Sequence, residues 1–433
     1  MKKICALMMV LSVCSMMFAQ TALDAKESDP TTMGWMQGFP PAEDKILSPV
    51  DGSFFTFPGL RYSVNHMREF SLTRVVPAAK DRHYGVKTEI DSNIDKVTFT
   101  PWGSDTTMTW AESLEANYTD GIIIMHKGKI VYEKYFGGLD AEGIHAAMSV
   151  SKSFAGTIAS ILIAEGVLDP TKLVIDYIPE LKDSAFADAT VEEVLDMTTA
   201  IQFSEDYSDP NAEVWEYGLA GNVFRPADYT GPKNYYEYLP TVKKLPGQEH
   251  GEVFGYKTAN AELVGWIISR ASGKDLTDLI SEKIWKPMGA FYDGYYIIDP
   301  AGKTSSGGGF SLNLRDMAVF GELMRRNGNF WGTQIIPQEA IAMIREGGSQ
   351  EAFEKGGGYP ALKGWSYKNM WWITHNEHGA YMARGIHGQA IYIDPTAEMV
   401  IARFASAPDA SNKYLDPKSL PAYEAVAEYL MNK

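Results

Sequence analysis

Two apolar hairpins at opposite ends of the chain constrain its fold more than any other feature. Near the start, Ile122-Ile123-Ile124-Met125 and Ile130-Val131-Tyr132 flank the turn His126-Lys127-Gly128-Lys129. Near the end, Ala390-Ile391-Tyr392-Ile393 and Met399-Val400-Ile401-Ala402 flank Asp394-Pro395-Thr396-Ala397-Glu398. Short apolar, β-branched runs bounded by turn residues read as strand, turn, strand. Between them the pattern is largely helical. Thr190-Val191-Glu192-Glu193 is a capping box, and residues 259–271 and 314–327 have helical periodicity closed by Gly273 and Gly328. An amphipathic helix over residues 421–430 follows the second hairpin. Strands at both ends with helices between predict an α+β fold. One antiparallel sheet is built from N- and C-terminal segments, flanked by helices, with an inserted helical region.

The remaining composition sets outer bounds. A chain of 433 residues, 45% of them hydrophobic, can bury a large core. Lys2-Lys3 before an apolar run over residues 4–18, then Ala19-Gln20-Thr21, reads as a signal peptide over residues 1–19. The run is too short to span a bilayer, so cleavage near Ala19 and a periplasmic or secreted location are expected. Both cysteines, Cys5 and Cys14, fall inside it, leaving the mature chain without a disulfide. Residues 20–110, rich in Pro, Gly and aromatics, read as an arm packed on a body over residues 111–433. A formal charge of -16 argues against nucleic acid or anionic lipid as a partner. No other run approaches 18 apolar residues, so stable membrane insertion is not expected; oligomeric state is left open.

Chemistry enters at Ser149-Val150-Ser151-Lys152. Phe154, Ile158, Ile161 and Leu162 mark a helix, which sets Ser149 and Lys152 on one face of its first turn. The partial positive charge of a helix N-terminus helps an alkoxide form there. A lysine near ~10.4 is protonated at neutral pH, so burial or a second cation must depress it. A second proton carrier is also needed, and Tyr256, just ahead of the 259–271 helix, is the candidate. Its phenol is expected to be pulled down by Lys152. Tyr367-Lys368-Asn369 competes, but it leads into Met370-Trp371-Trp372 rather than a helix. A third element is Ala383-Arg384-Gly385-Ile386-His387-Gly388-Gln389, whose small residues let a carbonyl substrate approach the strand backbone. A free N–H there, with that of Ser149, would form an oxyanion hole.

The order Ser-x-x-Lys, tyrosine at a helix start, and glycine-bearing late strand resembles the serine β-lactamase and penicillin-binding superfamily. The resemblance is to its class C and esterase branch, and within that to the 6-aminohexanoate-oligomer hydrolases. It runs from about residue 121 to residue 406. Met148-Ser149-Val150-Ser151-Lys152-Ser153, Asp176-Tyr177-Ile178-Pro179-Glu180-Leu181, Val194-Leu195-Asp196-Met197, Glu205-Asp206-Tyr207-Ser208-Asp209-Pro210, Phe254-Gly255-Tyr256 and Gly385-Ile386-His387-Gly388-Gln389 carry it. The resemblance implies Ser149 as nucleophile, Lys152 and Tyr256 as the proton-transfer pair, and the N–H groups of Ser149 and Ile386 as oxyanion donors. It also implies that Tyr207 meets a scissile nitrogen and that Trp372 covers the pocket. Thr258 stands where the family has Asn or Ser and reads as a substrate contact. Ala383-Arg384-Gly385 replaces Lys-Thr-Gly, removing the lysine and hydroxyl that engage a β-lactam carboxylate.

The expected activity is cleavage of a small ester or linear amide through an acyl-serine, with no cofactor and no metal. The alternatives are a β-lactam-interacting carboxypeptidase or β-lactamase, and a non-catalytic cell-wall binding protein. Gly302-Lys303-Thr304 is no phosphate loop, because Ile297 occupies the leading glycine position. His375-Asn376-Glu377-His378 lacks a third metal ligand nearby. His387 reads as a hydrogen-bonded strand residue, since the base role is filled.

Overall fold

The computed structural model describes residues 23–81, 83–207 and 209–433. The expected signal peptide over residues 1–19, with Cys5 and Cys14, lies outside the described residues.

The two hairpins join in one seven-stranded sheet. Its order is Ser366–Lys368, Trp371–Ile373, Tyr381–Gly385, Gln389–Asp394, Met399–Ala405, Thr119–His126 and Lys129–Tyr135, each pair antiparallel. At the seam between the early and late halves, Ile401 pairs with Ile124 and Ala402 with Ile123. Side chains alternate across the sheet. Ile391 and Val400 meet Gly321 of the helix Leu314–Arg325 on one face. On the other, Arg403 donates to Ser419 Oγ at 2.7 Å and Tyr392 meets Tyr423, both partners on the helix Asp416–Met431. Coverage of both faces explains why Met399–Ala405 is buried along its whole length rather than alternating.

Three helices run close to their expected spans: Val150–Ala164, Thr258–Ser272 and Leu314–Arg325. The capping box at Thr190 forms, with its hydroxyl accepting from Glu193 N–H and the Glu193 carboxylate accepting from Thr190 N–H. The last helix differs. It begins at Asp416, five residues before Pro421, and Pro421 lies inside it. A proline cannot donate to the carbonyl four residues back. That carbonyl, on Pro417, instead accepts the Trp102 N–H at 2.9 Å.

The stretch between the hairpins is less helical than its pattern suggests. A second antiparallel sheet runs in the order Thr73–Val76, Gly294–Ile297, Phe310–Asn313, Ile144–Ala146. Its strands are three or four residues long, too short to show a period, and their partners are remote in sequence. Residues 23–110 contribute the edge strand Thr73–Val76, a small antiparallel pair of Thr98–Phe99 with Met108–Thr109, and short helical turns, with Leu60, Val64 and Met67 packed against Ala146, Met148 and Tyr295.

Candidate active site

The strand Ile144–Ala146 ends in a turn where Met148 takes φ 48°, a conformation that costs a non-glycine residue ~1–3 kcal/mol. The turn is over-determined. Ala147 N–H donates to Phe310 O at 2.8 Å, Ser151 Oγ donates to Met148 O, and Phe310 N–H donates to Ser151 Oγ at 2.9 Å. Ser153 Oγ is likewise spent on Met370 O at 2.7 Å. Ser149 sits at the N-cap of the helix Val150–Ala164, yet its hydroxyl makes no capping bond. It accepts from Lys152 Nζ at 2.8 Å instead.

Lys152 is 1% exposed. Its second acceptor is the Gly307 carbonyl, at 2.6 Å. Burial pushes its pKa down to about 8, against the pull of the Glu205 and Glu262 carboxylates. Tyr256 stands beside the pair, its ring centroid 5.0 Å from Lys152 Nζ and its hydroxyl in contact with Ser149. The expected depression of its phenol is not found. Burial drives Tyr256 well above the ordinary phenol range, with Tyr367 and Glu205 adding to it and the Ser149 hydrogen bond opposing. A desolvated phenolate is the costlier species here.

The strand Tyr381–Gly385 presses on the serine turn. A Cβ on Gly385 would lie 2.8 Å from Ala147 O and 3.0 Å from Ser149 N, so only glycine permits this approach. Ile386 follows directly. Two cavities meet at Ser149. One, about 150 Å³, is walled by Tyr256, Tyr359, Trp372 and Arg384; the other, about 180 Å³, by Phe55, Met67, Met148, Lys152 and Thr258. Tyr207 and Ile386 border both. Trp372 is buried, with its ring stacked on Tyr256 at 5.5 Å and Arg384 at 4.9 Å from its own ring. Tyr207 is 38% exposed and meets Trp215 edge-on at 5.8 Å. Thr258 opens the helix Thr258–Ser272 and gives its backbone N–H to Glu205.

The competing motif has another task. Lys368 pairs with Glu192 at 2.6 Å and Asp196 at 2.9 Å, and Asn369 Nδ2 donates to Ser160 Oγ. Tyr367 packs edge-on against Tyr256. His375 and His378 turn to separate partners, Ser366 Oγ and Asp394. His387 is buried against the Ala407 carbonyl, which it meets at 2.7 Å through Nδ1, and burial lowers its pKa to about 4. Two residues were given no role by the sequence reading, Glu205 and Glu262. The signal for Glu262 is its place as a single acid among Ala259, Ala261, Leu263 and Val264 on a buried helix.

Comparisons with known proteins place the chain in a family. Residues 111–418 match the Beta-lactamase family. The chain is 34% identical over 303 residues to a 6-aminohexanoate-dimer hydrolase of Paenarthrobacter ureafaciens, covering 70% of this chain and 76% of that one. It superposes on a candidate 6-aminohexanoate-dimer hydrolase from Bacillus anthracis with a TM-score of 0.80 and 32% identity, over 90% of this chain and 99% of that one. A family VIII carboxylesterase shares the fold at a TM-score of 0.56 and 18% identity, over 80% and 99% of the two chains. This chain therefore belongs to the Beta-lactamase family, as a serine hydrolase close to the 6-aminohexanoate-dimer hydrolases.

Proposed function

We propose that Ser149 is acylated by a small ester or linear amide and that water then releases the acyl group. The observation that carries this is the 2.8 Å contact between Ser149 Oγ and a buried lysine whose pKa is brought to about 8. Neutral Lys152 takes the Ser149 proton as Oγ bonds to the substrate carbonyl carbon, and the carbonyl electrons move to oxygen. The N–H groups of Ser149 and Ile386 hold that oxyanion. Tyr256 keeps its proton in the resting site, so it acts as the carrier that hands a proton to the leaving group and is refilled from Lys152. Water reverses the roles in deacylation. Tyr207, at the border of both cavities, meets the nitrogen of an amide substrate.

A linear amide is favoured by the named activity of the Paenarthrobacter relative, and β-lactams are disfavoured by Ala383-Arg384-Gly385. Ala383 stands in the lysine's place and Arg384, whose Nη2 is held by both Asp416 oxygens at 2.6 and 2.7 Å, brings no hydroxyl, so neither group of the Lys-Thr-Gly triplet is replaced in kind. The same reading has the enzyme exported, so protein recovered outside the cytoplasm should begin after Ala19.

Intact-mass spectrometry tests the central point. A fluorophosphonate should add once, on the peptide holding Ser149, and Ser149→Ala should abolish the adduct. Modification of Ser151 or Ser153 instead would refute the assignment. Nitrocefin should turn over ~100-fold more slowly than p-nitrophenyl acetate, the scale of one lost charged hydrogen bond. Equal turnover would favour a β-lactamase.

A further inference from the structure

We propose that Glu262, which takes no part in the reaction, is the positioning residue that holds the Gly307 carbonyl on Lys152 and so keeps the lysine aimed at Ser149. The inference rests on the reading of Ser149 and Lys152 as the reacting pair.

Glu262 is 2% exposed, in the second turn of the helix Thr258–Ser272. Burying a carboxylate there is expensive, and an apolar residue of similar size would serve packing at least as well. What it does hold is one loop. Oε2 accepts from Ser306 N–H at 3.0 Å, with Ser306 Oγ at 3.1 Å sharing its one proton between Oε2 and the Ala261 carbonyl at 2.9 Å; Oε1 accepts from Gly307 N–H and Ser305 Oγ, both at 3.0 Å. Tyr217 OH adds a further bond to Oε1 at 2.6 Å. The next polar atom along that loop is the Gly307 oxygen that accepts from Lys152. Two acceptor oxygens therefore fix two successive peptide groups, and the second of those residues presents its carbonyl to the lysine.

The geometry is specific to a carboxylate. Ser306 N–H and Gly307 N–H are obligatory donors, one on each oxygen, whereas the three hydroxyls can turn to accept. An amide places its NH₂ on one side or the other, so in either orientation it faces a backbone N–H that has lost its acceptor. Glutamine cannot hold both peptides.

Charge gives a second handle. The ionisable groups facing Lys152 are Glu262 from its helix, Glu205 from the loop that meets Thr258, and Tyr256. Tyr217 and Tyr235 face Glu262 from the elements on its other side. Burial raises the Glu262 pKa, against the hydrogen bonds from Tyr217, Gly307 and Ser305 and the Lys152 charge. In its ionised form Glu262 favours the protonated lysine and raises the lysine pKa. Removing the charge lowers that pKa, so the acid limb of the rate must move to lower pH.

The test is the rate constant for fluorophosphonate labelling of Ser149 against pH, which counts folded enzyme only. E262Q should label at least ~10-fold more slowly at its plateau, and its acid midpoint should fall by ~0.5 pH unit or more, a threefold change in lysine protonation. E262D keeps the charge on a shorter stem; it should keep the wild-type midpoint and still lose plateau rate, and it decides the matter if E262Q does not fold. A wild-type plateau in either variant overturns the proposal, as does a slower E262Q with an unmoved midpoint. Failure of the wild-type enzyme to label at any pH overturns the reading of the site itself, and the proposal with it.

Discussion

Lys152 has two acceptors, the Ser149 hydroxyl and the Gly307 carbonyl, and both are neutral. Burial without a counter-ion in contact favours the free amine. Because the amine is the active form, kcat/KM for p-nitrophenyl acetate should rise with pH through a midpoint near 8. A flat profile across neutral pH would show that another group sets the limb. Lys152→Ala and Tyr256→Phe should each cost about 100-fold, and the double variant far less than the product, since the two move one proton in sequence. Full multiplicativity would mean they act separately. Tyr207→Phe should slow a linear amide at least ~10-fold and leave the aryl ester within about 3-fold, because only an amine leaving group needs its nitrogen oriented. Equal losses would make Tyr207 a packing residue. At this scale the sequence was legible where spacing on one helix decides geometry, as for Ser149 and Lys152. The proton affinity of Tyr256 was not, because it depends on burial among Tyr367 and Trp372, which arrive from a distant hairpin.

That hairpin shows what decides element positions. Ser366–Lys368 and Trp371–Ile373 are joined by Asn369 and Met370, both at positive φ, and the tip lies on the helix that carries Ser149. Ser153, Ser160 and Thr157 all bond to it. Gly156 faces the Asn369 carbonyl so closely that a Cβ would overlap it. Gly156→Ala should therefore cost about 1–3 kcal/mol of stability in urea denaturation. It should also lower activity, as the displaced hairpin carries Trp372 off Tyr256. A neutral Gly156→Ala would mean the contact relaxes without strain. The long strands and the capped helices could be read from periodicity and caps. The short second sheet and the early start of the last helix could not, because one depends on remote pairing and the other on Trp102 relieving Pro417.

Across the whole molecule, a buried cation adds to the strand pairing and apolar packing that tie residues 23–110 to the body. Arg61, 2% exposed, pairs with Asp120 at 3.2 Å, donates to Ser406 Oγ at 3.1 Å and Ser28 Oγ at 2.9 Å, and also reaches Ala25 O. Asp120 in turn meets His145, four residues before Ser149. Arg61→Met would strand Asp120 without its cation, so a loss of about 3–5 kcal/mol is expected by chemical denaturation. A loss below ~1 kcal/mol would show that Asp120 does not depend on this cation. The seam between Thr119–His126 and Met399–Ala405 has a bearing on biosynthesis. On a ribosome the isoleucine-rich early strand emerges with one neighbour only, and its other edge waits until nearly all the chain has been made. An unpaired apolar edge recruits strands from other molecules. Sheets closed by such remote pairing also form slowly. A product halted before Met399 should accordingly aggregate instead of retaining partial activity, and the finished chain should gain solubility and its nucleophile turn together, when the last strands dock.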